Sequence, residues 1–205
     1  IIETLGLATI PLFILVDVAY RNRRFRTSRL WRVRALAVTV ASFLLSVAVA
    51  ILWGTALQGY SLIDGTPLGI LGGAAVGILV YELVHYGYHR LAHKSDRLWR
   101  WAHQMHHSAE SVDAFGAYYL HPVDTILFTT WSSLVFFPLL GLAPEAGAVG
   151  AAFLTFNAMF QHANIKTPRW VGYIIQRPES HCVHHERGQH RYNYSDLPLW
   201  DMVFG

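Results

Sequence analysis

Histidine carries the chemistry in this sequence. All 12 histidines of the 205 residues fall after residue 84, and three groups stand at metal-ligand spacing. His89 and His93 are four apart in "HRLAH"; His103, His106 and His107 form one H-x-x-H-H; His181, His184 and His185 form another. On a helix, residues three and four apart share a face. Each triplet is therefore expected to turn three imidazoles toward one point. A single ion cannot use eight rings, but two ions a few ångströms apart can, one ring of each HH pair reaching toward each. Imidazole suits iron, zinc, copper and nickel alike, so the ligand type does not choose the metal.

The same stripe extends upstream. Glu82, His85, His89 and His93 step by three, four and four. That makes His85 a candidate for a further ligand or a partner behind the ligands, and gives Glu82 a place to orient a ring through its second nitrogen. His162 and His121 stand at the ends of apolar runs, where ionisable groups are functional candidates. His190, alone in its stretch, reads as a surface residue. Cys182 has no partner cysteine and reads as a small buried neighbour within "HCVHH".

These residues must be held by an apolar scaffold. Hydrophobic residues make up 53% of the chain and charged ones 14%, about half the usual globular share. Mean hydropathy is positive. Five apolar runs approach the roughly 20 residues that a bilayer span needs: about 4–20, 35–53, 67–86, 123–142 and 146–163. The first is the shortest and carries Asp17, which marks it as the one expected to lie at the interface. It lacks a basic N-terminal flank and a convincing small-residue cleavage site, so a signal peptide is not expected. Gly69, Gly73 and Gly77, four apart in the third run, are the small-residue pattern that lets membrane helices approach closely.

Charge orients the runs. Seven arginines lie between Arg21 and Arg34, and the remaining Lys and Arg fall in 90–100 and 166–191. If every run crosses, all 16 basic residues share one side, which the positive-inside rule makes cytoplasmic. The expected fold is therefore all-α: an integral, multi-pass bundle of about four or five transmembrane helices, forming a single domain over 1–205. The polar segments 85–121 and 162–205 form a cytoplasmic histidine-rich cap. The arginines serve orientation and anionic head groups; tied to span ends, they do not suggest a nucleic-acid partner.

The order H-x-x-x-H, H-x-x-H-H, H-x-x-H-H resembles the fatty acid hydroxylase / sterol desaturase superfamily, membrane histidine-rich di-iron enzymes. So do the blocks "LWRWAHQMHHS", "HPVD", "QHANI", "RPESHCVHH" and "NYSDLPLWDMVFG", and the likeness runs from about Glu82 to Gly205. It implies two Fe ions held by His89, His93, His103, His106, His107, His181, His184 and His185, with His162 as an extra ligand. It also implies O2-dependent oxidation of a lipid C–H bond, more in keeping with hydroxylation than desaturation, and no catalytic residue separate from the metal site. Zinc can take such sites in a purified protein. Sterol, sphingolipid, fatty acyl chain, ornithine lipid and alkane all fit as substrates. Three positions depart from the family pattern: Glu82 replaces a common Asp, Tyr119 a common Arg, and His85 a usual aromatic.

The sequence holds no cysteine set for an iron–sulfur cluster and no dinucleotide-binding glycine fingerprint. An external electron donor is expected: a ferredoxin, cytochrome or flavoprotein reductase. Trp99, Trp101, Phe115 and Tyr118 are candidates to line a lipid slot. A membrane zinc hydrolase would need a general base such as Glu82, Glu179 or Glu186, but eight histidines exceed what one catalytic zinc uses. A metal transporter would place ligands near the bilayer midplane, not at one surface.

Overall fold

The computed structural model describes residues 2–189 and 191–205, with side chains from residue 6 onward; His190 lies outside the described residues. Among these residues every regular element is helical. In chain order they are α1 (Ile2–Ala19), α2 (Trp31–Ala56), α3 (Gly69–Lys94), α4 (Asp96–Leu98), α5 (Gln104–His107), α6 (Pro122–Leu134), α7 (Pro144–His162), α8 (Pro178–His184) and α9 (Pro198–Phe204). A π-helical turn, Trp99–His103, joins α4 to α5, and a second, Val135–Leu139, prolongs α6.

Proline sets four of the helix starts. Pro122, Pro144, Pro178 and Pro198 each open a helix, where the missing N–H costs nothing and the fixed φ already suits the turn. Pro138 instead sits inside a helical run, and the backbone there widens to a π turn, a common way to accommodate a broken hydrogen-bond ladder.

Helix α7 packs between α1 and α3, while α6 packs on α2. The α3–α7 approach depends on small residues. A Cβ on Gly73 would lie 3.1 Å from the Cβ of Ala146 in α7, and one on Gly77 would lie 2.7 Å from Leu142 Cδ1 in the turn that leads into α7. Gly69, expected on the same packing face, has nothing within 4 Å and a φ of 64°. It turns the chain into α3 through a conformation that only glycine adopts freely.

Two helical stretches, Trp31–Ala56 and Thr66–Lys94, are long and apolar enough to cross a membrane. Their outer faces expose Val40, Leu44, Ile51 and Leu71, apolar surface on a scale that marks contact with lipid or protein. The other three expected runs are also helices, shorter or less apolar. Asp17, the reason for expecting α1 at the interface, is buried. Its carboxylate accepts N–H bonds from Ala114 (2.6 Å) and Asn164 (2.8 Å), so it ties α1 to the histidine segments.

The bundle has two distinct ends. At one, Arg23 donates to Asn164 Oδ1 and to the carbonyls of Ala163 and Pro178, Trp31 Nε1 donates to Ser111 Oγ, and Arg34 pairs with Glu110. The arginine loop and both histidine segments thus lie together. At the other end, Leu62 and Ile63 donate to the carbonyls of Pro138 and Leu139.

Candidate metal centre

Nine histidines converge into two adjoining cages. The first draws His89 and His93 from α3, His103 and His107 from the π turn and α5, and His184 from α8. The second draws His106 from α5, His162 from the end of α7, and His181 and His185 from α8 and its cap. Within each cage the ligand atoms lie within 4.8 Å of one another.

The triplets do not each turn toward one point, but each HH pair sends one ring to each cage, as its doubling suggested. Each splits, giving its i, i+4 pair to one cage and its remaining ring to the other. His103 and His107 share the first cage while His106 turns to the second; His181 and His185 share the second while His184 turns to the first. Adjacent helical residues diverge by about 100°, so each HH pair straddles the wall between the cages. His107 and His185 stack across that wall with centroids 4.2 Å apart.

Hydrogen bonds at the back of five of the rings fix which nitrogen points inward. His89 Nδ1 lies 3.0 Å from the Tyr194 carbonyl, and His184 Nδ1 lies 2.7 Å from that of Tyr192. A carbonyl can only accept, so each Nδ1 carries the proton and each Nε2 is a bare lone pair. His103 Nδ1 donates to Asp124 Oδ2 at 2.8 Å, and Tyr88 donates to the other Asp124 oxygen at 2.6 Å. In the second cage His162 Nδ1 donates to the Ala158 carbonyl. His181 Nδ1 faces Asn193 Oδ1, and a short chain proves that oxygen an acceptor. Gln176 Nε2 donates to the Asp201 carboxylate, leaving Gln176 Oε1 to accept from Asn193 Nδ2.

The inward nitrogens then face one another with no proton between them. His89 and His184 Nε2 are 3.2 Å apart, and His162 and His181 Nε2 are 3.0 Å apart. Two lone pairs at that distance repel; a cation between them removes the conflict. Metal–nitrogen bonds of about 2.0–2.1 Å place neighbouring ligands about 3 Å apart, so the donor set fits a metal in each cage. Burial and the neighbouring imidazoles hold His106, His107, His181 and His185 well below the usual imidazole range. They are neutral near pH 7 and compete for no proton.

The backbone behind His181 and His184 is strained. Tyr192 and Asn193 both take positive φ, 59° and 62°, a region unfavourable for residues with a Cβ and found where structure over-determines it. This kink aims the Tyr192 carbonyl at His184 and the Asn193 amide at His181.

A cavity of about 600 Å³ opens onto the cages. Its floor includes His89, His103, His106, His162 and His181, and its walls include Tyr118, Phe128, Phe136 and Leu154. Of the four aromatics expected to line a slot, Tyr118 does. Trp99 packs instead against His93 and His107, Trp101 is exposed, and Phe115 packs on Trp31. His85 lines the cavity but joins neither cage, and Glu82 Oε2 stands 3.6 Å from it, accepting instead from the Asp196 N–H at 2.7 Å. His121 caps α6, accepting from Val123 N–H. Cys182 is half-buried beside a second cavity that reaches His185. Sequence reasoning overlooked the residues that lock the rings, Asp124, Asn193, Gln176 and Asp201. A lone acid opening an apolar run, as in "HPVD", is a signal that could have found Asp124.

A family profile described as fatty acid hydroxylase matches residues 74–205. Among curated proteins, the chain is 26% identical over 132 residues to sphinganine C4-monooxygenase 1 of Arabidopsis thaliana, covering 62% of this chain and 51% of that one. It is 28% identical over 138 residues to the very-long-chain aldehyde decarbonylase GL1-9 of Oryza sativa subsp. indica, covering 63% and 52%. It is 33% identical over 130 residues to alkylglycerol monooxygenase of Homo sapiens, covering 59% and 27%. The chain thus spans about half, or less, of the length of these relatives. No solved structure matches.

Proposed function

The chain belongs to the fatty acid hydroxylase family, and on that premise we propose that it is a membrane-bound oxygenase that hydroxylates a lipid C–H bond with O2. The observation that carries this reading is the pairing of two unprotonated imidazole cages with an apolar cavity that opens directly onto them. The sphinganine and alkylglycerol monooxygenases among its relatives support hydroxylation over desaturation and a lipid as substrate.

Two irons, when bound by the nine histidines, supply the power to insert oxygen from O2 into an unactivated carbon. The chain's own residues do the rest. His89, His93, His103, His107 and His184 hold one ion, and His106, His162, His181 and His185 the other. Asp124 and Asn193 hold His103 and His181 in the tautomer that offers Nε2 inward. Phe128, Phe136 and Leu154 receive the alkyl chain and exclude water from it. Positioning and water exclusion are what a protein contributes when the hard chemistry belongs to the cofactor.

In the same reading residues 1–205 form one domain crossing the membrane four or five times, the arginine loop and histidine cap facing the cytosol. An external ferredoxin, cytochrome or flavoprotein supplies the electrons there. The test is reconstitution of the purified chain with iron, lipid, O2 and an electron donor. Product that depends on O2 and vanishes in His181→Ala is expected; product retained by that variant removes the reading.

A further inference from the structure

Outside the two cages, Glu82, His85 and Asp196 form a third set of donors whose ligand atoms lie within 4.8 Å of one another. Glu82 is fully buried and Asp196 is 4% exposed, while His85 and Asp196 face the cavity. The hydrogen bonds around them are incomplete. Glu82 Oε2 accepts from the Asp196 N–H at 2.7 Å, and Asp196 Oδ1 accepts from Gln161 at 2.8 Å. His85 Nδ1 stands 3.6 Å from Glu82 Oε2, too far for a hydrogen bond. Glu82 Oε1 and His85 Nδ1 are left buried with no partner. Among the described residues no lysine or arginine pairs with either carboxylate.

Two acids shut away from water without a counter-charge are costly, and such groups are ordinarily paired or bound to a metal. His85 does not join the nine-histidine centre: its ring stacks on His89 at 5.6 Å and meets Phe128 edge to face, and its ligand nitrogen groups with Glu82 and Asp196 rather than with either cage. Its unpartnered nitrogen belongs to the acid pair. One imidazole nitrogen with two carboxylate oxygens is a donor set for a borderline first-row ion.

We propose that Glu82, His85 and Asp196 bind a third divalent cation, zinc, manganese or ferrous iron, in the cavity wall, separate from the two histidine cages. The donors approach from the wall side, so the ion's remaining positions open toward the cavity and take water or a polar group of the lipid.

Metal counting tests this. Full-length wild type, His85→Phe, Asp196→Asn and His106→Ala are dialysed against micromolar Zn²⁺, desalted and analysed by plasma mass spectrometry, with folding checked by gel filtration. Phe at 85 keeps an aromatic ring against Tyr81 and Phe128, so this variant remains informative if Asp196→Asn misfolds. The expected result is one ion fewer per chain in His85→Phe and in folded Asp196→Asn than in wild type. Equal content in wild type and His85→Phe, with His106→Ala showing that the cages were loaded, overturns the third site and leaves the two-cage reading standing.

Discussion

At the scale of single residues, the centre depends as much on the groups behind the rings as on the rings. His103 faces inward because Asp124 holds its Nδ1 proton, and Asp124 is itself held by the Tyr88 hydroxyl. Replacing Asp124 with Asn leaves the size of the side chain but removes a charge-assisted acceptor. Partners of this kind are worth about 10–100-fold in metal affinity. Asp124→Asn should therefore weaken retention of metal by about that factor in competition against a chelator; unchanged retention would show that His103 needs no anchor. The histidines that gather into the cages were legible in the sequence because their spacing is local. Their anchors were not, since Asp124 and Asn193 meet the rings, and Gln176 and Asp201 hold Asn193, only through the tertiary fold.

At the scale of elements, spacing predicted helices well and their orientation less well. Each of the five apolar runs is a helix, and the histidine triplets lie on short helical segments. That each HH pair serves both cages was legible in its doubling; which ring joins which cage was not. It depends on where the π turn Trp99–His103 and the strained pair Tyr192–Asn193 set the segments against one another. Close helix approach can be tested at Gly77, where a larger side chain must displace Leu142 and Phe136. Overpacking of this kind costs about 1–3 kcal/mol, so Gly77→Val should melt at a clearly lower temperature in detergent. Gly54→Val, whose added Cβ meets nothing within 4 Å, should not, and an equal loss in both would show that α3 is not tightly apposed to the segment between α6 and α7.

At the scale of the whole molecule, charge and chemistry gather at one end. The arginine loop, the histidine segments and the tether from Asp17 all meet there, and the loop that includes Ser61 lies at the opposite end, against the carbonyls of Pro138 and Leu139. In the proposed topology the positive-inside pattern puts the first end in the cytosol. In a Cys182→Ser background, Ser61→Cys should react with an impermeant maleimide in intact cells, and Arg29→Cys only after lysis. The reverse pattern would invert the topology. The cavity joins this end to the apolar body of the bundle, and that union of cage and slot is what makes lipid oxidation the central claim. Its most direct test is lipid mass spectrometry of membranes expressing the chain under ¹⁸O₂, beside membranes carrying His106→Ala. A lipid that gains one ¹⁸O atom in the first and is missing from the second is expected; an unlabelled oxidised lipid, or the same labelled lipid in both, would contradict lipid oxidation at this site.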